Sequence, residues 1–240
     1  MYTPAAFRME ELPDLHAAMR AAGLATFVTG TGAGLMATPL PLFLAPDEGP
    51  LGTLYGHLAR ANPQRAEPPT CEALAIFGGA DAYVTPAWYA TKRETGRVVP
   101  TWNYVTVHAY GAPDFFEDAT RLHAVVSRLT DLHEAARPHP WAVTDAPDPY
   151  IRSQLKGIVG LRLPIARIEG KRKMSQNRSA EDRAGVAAGL AGSDRPGDRA
   201  AAGLVPLDQQ PRSEPGHSAL ALRQGPHRTP VTSPISRGSR

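Results

Sequence analysis

This sequence predicts a mainly β fold of the α+β class: a small barrel with helices at its periphery and a disordered C-terminal tail. Three observations carry that expectation. Apolar and polar residues alternate over several runs of about five to ten residues, the period of strands buried on one face. Glycines at Gly30–Gly34 and at Gly78-Gly79 separate such runs, as hairpin turns do. Residues 191–240 hold seven arginines, seven prolines and six glycines but no aromatic residue, a composition that buries too little apolar surface to fold. The division is therefore a domain over 1–190 and a Pro/Arg/Gly-rich tail over 191–240.

Of the 240 residues, 42% are hydrophobic and 20% charged, an ordinary globular balance. The formal charge of +3 belongs entirely to residues 191–240, which leaves 1–190 formally neutral. A neutral body argues against electrostatic capture of nucleic acid. Cys71 is the only cysteine, so neither an intrachain disulfide nor a thiolate zinc cluster is possible. Pro39 and Pro41 interrupt the best candidate for a membrane span. The start of the chain lacks the basic and apolar regions of a signal peptide, and the expectation is a soluble cytoplasmic protein.

In chain order, Glu11–Ala22 reads as a helix with Pro13 in its first turn, Leu12, Leu15 and Met19 on one face, and Gly23 at its stop. Ala25–Thr29 is a short strand, and Gly30–Gly34 a hairpin turn; the glycines lack the strand-to-helix context of a dinucleotide loop. Leu35–Leu44 is the returning strand. Its Pro39 and Pro41 cannot donate to a ladder, so that side is an edge or an opening. Cys71–Phe77 and Ala82–Thr85 are strands on either side of Gly78-Gly79. Pro100–Gly111 is the longest strand, with Val105, Val107 and Ala109 on one face and Trp102, Tyr104, His108 and Tyr110 on the other. Large aromatics with polar tips call for a partner subunit or a ligand. Helices follow at Asp118–Glu134 and at Pro149–Lys156, then a strand at Ile158–Ile168. Gly170–Arg178 reads as a basic loop, and Ser179 opens a last helix to Leu190.

The stretch Leu54–Gln64 carries the first chemistry. It begins as a strand, with Tyr55 and His57 on one face and Leu54 and Leu58 on the other, and ends in Arg60 and Asn62 before Pro63. A guanidinium fork and an amide at a strand end suit an anion, because arginine donates two parallel hydrogen bonds to phosphate or carboxylate. No metal-ligand spacing is present: His123 and His133 are ten apart, and His139 lies in a proline-rich turn. No nucleophile or general base stands out. His57 and His108 are placed to stack across neighbouring strands, but no carboxylate orients them.

Five segments together resemble a known family. They are Tyr55-Gly-His-Leu-Ala-Arg-Ala-Asn-Pro-Gln64, Ala82-Tyr-Val-Thr-Pro-Ala-Trp-Tyr89, Val99-Pro-Thr-Trp-Asn-Tyr-Val-Thr-Val-His-Ala-Tyr-Gly111, Lys156-Gly-Ile-Val-Gly160 and Lys173-Met-Ser-Gln-Asn-Arg178. In consistent order from Met1 to about Leu190, the chain resembles the PaiB family of FMN-binding negative transcriptional regulators. Where that family reads Ala-Thr-His-Leu-Pro, this chain has Ala37-Thr-Pro-Leu-Pro41, so a histidine role is missing there.

The resemblance implies a flavin-reductase-like split barrel that binds FMN, forms a homodimer with flavin at the subunit interface, and represses transcription. On this reading Arg60 and Asn62, with Thr38, take the phosphate, and His57 belongs to the same set. Trp102 and Asn103 face the ring, while Lys173, Ser175, Gln176 and Asn177 close the site from a second direction. Each also has an ordinary structural reading, as interface packing, strand-end amide or solvated loop. Two other functions fit the same scaffold: a flavin-dependent oxidoreductase acting on a small substrate, and a haem-binding split barrel with His57 or His108 as axial ligand. With no recognition helix in the sequence, regulation is expected to be indirect and direct DNA contact doubtful.

Overall fold

The computed structural model describes residues 1–207. In chain order its elements are β1 (Arg8–Met9), α1 (Leu12–Ala22), β2 (Leu24–Thr31), β3 (Gly34–Pro41), β4 (Phe43–Ala45) and β5 (Thr53–Ala59). There follow β6 (Ala73–Val84), α2 (Thr91–Thr95), β7 (Thr101–Gly111), β8 (Asp114–Phe116), α3 (Ala119–Glu134) and α4 (Asp148–Leu155). The last are β9 (Ile158–Pro164), β10 (Arg167–Lys173), α5 (Ala180–Ala191) and α6 (Pro196–Ala202).

Alternation along the strands builds two antiparallel sheets, in the orders β1-β10-β7-β6-β2-β3 and β4-β5-β9-β8. Their inner faces meet in one core that contains Phe27, Leu54, Leu58, Val107, Leu161 and Leu163. This is the closed α+β architecture the alternation predicts. β3 is an edge strand, as its prolines require.

Two runs expected to be single strands are each a pair of strands in different sheets. Leu35–Leu44 divides at Leu42 into β3 and β4, and Ile158–Ile168 divides at 165–166 into β9 and β10. The physical reason is the proline before each break: Pro41 and Pro164 end a ladder where the chain turns to the other sheet. The second corner is stitched to its surroundings by Ile165 N–H on Gly52 O (3.0 Å) and Ala166 N–H on Tyr110 O (2.8 Å). Gly111 lies so close to the Pro164 carbonyl that no Cβ fits there.

The expected basic loop is also corrected. Its first half belongs to β10, with Lys171 opposite Thr106 and Lys173 opposite Tyr104. Charge density disguised a strand whose side chains cap the aromatic face of β7. The Arg167 guanidinium lies 3.6 Å from the Tyr110 ring centroid, and Lys171 Nζ lies 5.2 Å from that of Tyr104. The runs flanking Gly78-Gly79 are one strand, β6, with an irregularity in register between Gly78 and Asp81.

α3 covers the outer face of β5 through Leu122, Val125 and Leu129, joined by Phe116 and Leu155. A third cluster joins Ala82, Val84 and Tyr89 to Val186 and Leu190 of α5, and to Ala201 and Val205. The packed chain thus passes the expected boundary at Leu190 and includes α6. That helix was hidden because it buries only Asp198 and Ala201, amid Pro, Gly, Arg and exposed Ala, and so shows no apolar periodicity. The expectation of disorder for 208–240 lies outside the described residues.

Candidate functional site

Three groups of the expected residues occupy three places. The first is the end of the barrel beside edge strand β3. Here the Thr38 hydroxyl donates to Gln64 Oε1 (2.6 Å) and accepts from Asn62 Nδ2 (3.0 Å), and Asn62 Oδ1 takes the Gln64 amide N–H (2.9 Å). Gln64 is fully buried, and its Nε2 reaches Phe27 O, Thr29 Oγ1 and Met36 O. Thr38 and Asn62 are therefore brought together, as expected, around a glutamine that sequence reading treated only as the end of the stretch. The signal was present: a polar residue one step beyond Pro63, where the amide at 62 caps a short 3-10 turn.

Arg60 sits beside this network. Its Nε donates to Lys156 O (2.6 Å), and its Nη1 pairs with Glu117 at 2.6 Å. Arg65 Nη1 approaches the same carboxylate at 3.4 Å. The hydrogen bond from Arg60, followed by the charges of both arginines, holds the Glu117 carboxyl below its usual range. Because Glu117 is about half exposed, this pair is screened by solvent.

The second group lies at the opposite end of the large sheet. The pleat sends Trp102 outward, 47% exposed and edge-on to Tyr83, while Asn103 points inward and is fully buried. Asn103 Oδ1 accepts from the Ser175 hydroxyl (3.1 Å), and its Nδ2 is buried without a partner among the described residues. Lys173 Nζ donates to Thr101 Oγ1 and Trp102 O. Burial, then the charges of Lys171 and Arg178, pull its pKa below the ordinary lysine value. Gln176 braces the turn by accepting from Met174 N–H (2.6 Å) and donating to Arg172 O, and Asn177 is exposed at its tip. Trp102 and Lys173 thus share the outer face, whereas Asn103 and Ser175 support the turn from within.

The third place belongs to His57, which points from the outer face of β5 toward α3 and α4, away from Thr38 and Gln64. Its Nδ1 is buried without a partner among the described residues, and burial lowers its pKa. The expected stacking of His57 with His108 does not occur. His57 pairs across to Gly160 in the small sheet, and His108 sits between Ile76 and Glu169 in the large one. His57 opens on a cleft of about 280 Å³, at the small end of ligand cavities. Among the described residues, no group of His, Cys, Asp and Glu could hold a metal ion.

Thr38 stands across the large sheet from Ala109, by way of Phe27 and Ala75. Trp102 is seven residues further along that strand, roughly 24 Å at about 3.4 Å per residue. Arg60 and Trp102 therefore lie in separate places within one chain. Both places fit FMN: one offers a guanidinium in a solvent-screened ion pair, the other an open indole beside a desolvated ammonium.

Residues 1–167 match the model of a family described as "Putative FMN-binding domain". The Bacillus subtilis protein named Protease synthase and sporulation protein PAI 2 is 31% identical over 207 residues, covering 85% of this chain and 96% of that protein. An uncharacterized protein of Aspergillus fumigatus is 40% identical over 172 residues, 58% of this chain and 66% of its own length. The chain thus spans just under two thirds of that fungal relative. Two solved structures share the fold at a TM-score of 0.51. They are the flavocytochrome Anf3 from Azotobacter vinelandii, at 15% identity over 69% of each chain, and the FAD and heme binding protein from Mycobacterium smegmatis, at 17% identity over 69% of this chain and 73% of that one. Among the described residues, no helix is long and apolar enough to cross a membrane. With its two sheets, its barrel core and its matched sequence, the chain belongs to the FMN-binding family of PaiB-like split-barrel flavoproteins.

Proposed function

We propose that the protein is a flavin-dependent negative regulator of transcription. It works as a two-fold dimer in which Arg60 and Asn62 of one protomer and Trp102 and Lys173 of the other hold each FMN. The separation of these two half-sites along the sheet carries the reading, because a flavin that uses both must bridge two chains. The outer face of β7 supports it: Trp102, Tyr104, His108 and Tyr110 are only partly covered within one chain.

FMN supplies the electron-carrying ring when bound. The chain's own groups do the rest. Arg60 would take the phosphate in place of Glu117, Trp102 would pack against the ring, and Lys173 would supply positive charge near it. Asn103 and Ser175 fix the turn that carries Lys173. The regulatory effect passes through the flavin-loaded dimer and not through direct reading of DNA.

Spectroscopy with light scattering tests this. The purified protein should show a flavin absorption band and a dimeric mass at micromolar concentration. Arg60→Ala and Trp102→Ala should each weaken FMN binding about tenfold or more. A monomer that holds FMN with unchanged affinity would refute the shared site.

A further inference from the structure

The His57 cleft is not used by this reading, and its lining is specific. It runs between β5, α3, α4 and the segment that joins the two helices. Its walls include Val126, Ile151 and Leu155, and its side chains able to hydrogen-bond are His57, Thr130, Trp141, Tyr150 and Gln154. None of the residues around its 280 Å³ recess is an aspartate, glutamate, lysine or arginine. A second recess of about 330 Å³ adjoins it, shares His57, Val126, Thr130 and Trp141, and is lined as well by His133 and Glu134.

Three features mark it as a preformed site. His57 lines the cleft, and its Nδ1 is buried without a hydrogen bond among the described residues. Trp141 and Tyr150 line the cleft while 48% and 58% exposed, leaving aromatic surface uncovered. The segment that carries Trp141 is held in place: Glu134 accepts from Trp141 N–H (3.1 Å) and pairs with Arg137 (3.0 Å), and Asp145 accepts from Ala142 N–H (2.9 Å).

We propose that this cleft binds a small, uncharged, planar heteroaromatic molecule, packed against Trp141 and hydrogen-bonded at its edge to His57, at a site separate from the flavin. The uncharged lining of the first recess selects an uncharged ligand, the aromatic walls select a flat one, and the polar side chains of His57, Thr130 and Gln154 select one with a polar ring edge. The volume admits one or two fused rings.

Calorimetric titration with benzimidazole tests it, with indene as the equally shaped probe that lacks ring nitrogens. Both are titrated into the protein as purified and into protein saturated with FMN, and flavin content is read separately from the visible spectrum. Benzimidazole should bind once per chain in both preparations and at least tenfold more tightly than indene. His57→Phe and Thr130→Val should each lower benzimidazole affinity while leaving flavin content unchanged, and Trp141→Ala should lower the affinity of both probes. Three results would overturn the proposal: no benzimidazole binding to the wild-type protein, equal affinity for indene, or displacement of benzimidazole by FMN. The third would make the cleft part of the flavin site. Loss of flavin binding in Arg60→Ala with benzimidazole binding intact would support separate sites.

Discussion

Ser175 shows how closely one backbone angle and one hydrogen bond can be tied. It is the only non-glycine residue with positive φ among the described residues, at 61°, and its hydroxyl is held by Asn103. This left-handed step lets the chain leave β10 and start α5 within a few residues. Ser175→Ala should destabilise the fold by about 1 kcal/mol through the lost hydrogen bond. Ser175→Val should add about 1–2 kcal/mol more, because a β-branched residue fits that region poorly. Urea denaturation of the pair separates the two effects. The histidines give a pH prediction. Burial lowers the pKa of His57, and burial followed by the N-terminal charge lowers that of His108, both from 6.5. Below that value the unfolded chain takes up protons that the folded chain refuses. The stability present above about pH 6.5 should therefore drain away as pH falls toward the folded values. Denaturation at about pH 7.5 and about pH 5.5 should show the loss, and His57→Phe should make it smaller. At this scale the sequence disclosed the convergence of Thr38 and Asn62, which a single strand end and its neighbouring edge bring about. The pairing of Trp102 with Asn103 could not survive, because adjacent residues in a strand face opposite ways. Seeing that Asn103 lies inward required knowing that α5 and the turn at Ser175 cover it.

Among the elements, α5 carries the least expected packing. Gly185 and Gly189 lie against Trp88, the first on its carbonyl and the second on its indole ring, with no room for a Cβ. Helix propensity alone would make Gly→Ala favourable by about 1 kcal/mol. Gly185→Ala should instead lower the melting temperature, since backbone must move to admit the methyl group. α6 has a comparable consequence. A chain ending at Leu190 loses Ala201 and Val205 from the cluster around Tyr89 and Val84. It should lose on the order of 3 kcal/mol, whereas a chain ending at Leu207 keeps that cluster and serves as the control in thermal denaturation. The elements were legible where apolar periodicity was long and uninterrupted, as in α1, α3 and β7. They were misread at Leu42 and at 165–166, where the hydrophobic pattern continues while the chain changes sheet. Periodicity records which face is buried, not which strand lies alongside. β10 was missed for a related reason: its lysines and arginines lie over tyrosines, a neighbour that local sequence does not reveal.

For the whole molecule, the distribution of cations bears on the proposed regulation. The cluster Arg167, Lys171, Arg172, Lys173 and Arg178 is largely engaged within the fold. Arg167 pairs with Glu169 and lies on Tyr110, Lys171 is 8% exposed and donates to Tyr2 O, and Arg178 stacks 4.7 Å from Tyr89. Counterion release on DNA requires cations free to meet phosphates. Fluorescence anisotropy with candidate promoter fragments at physiological salt should therefore show no sequence-specific binding in the roughly 10⁻⁸–10⁻¹¹ M range of direct regulators. Nanomolar binding abolished by Lys171→Ala would exclude the indirect mode. The order of the large sheet has a different consequence, for synthesis of the chain. β10 lies between β1 and β7, so Arg8 finds its partner Lys171 only after more than 160 intervening residues have been made. At roughly 5–20 residues per second, the ribosome needs on the order of ten to thirty seconds for that interval. Until then β7 has an open edge, and the nascent barrel stays exposed to chaperones, to proteases and to pairing with other emerging chains.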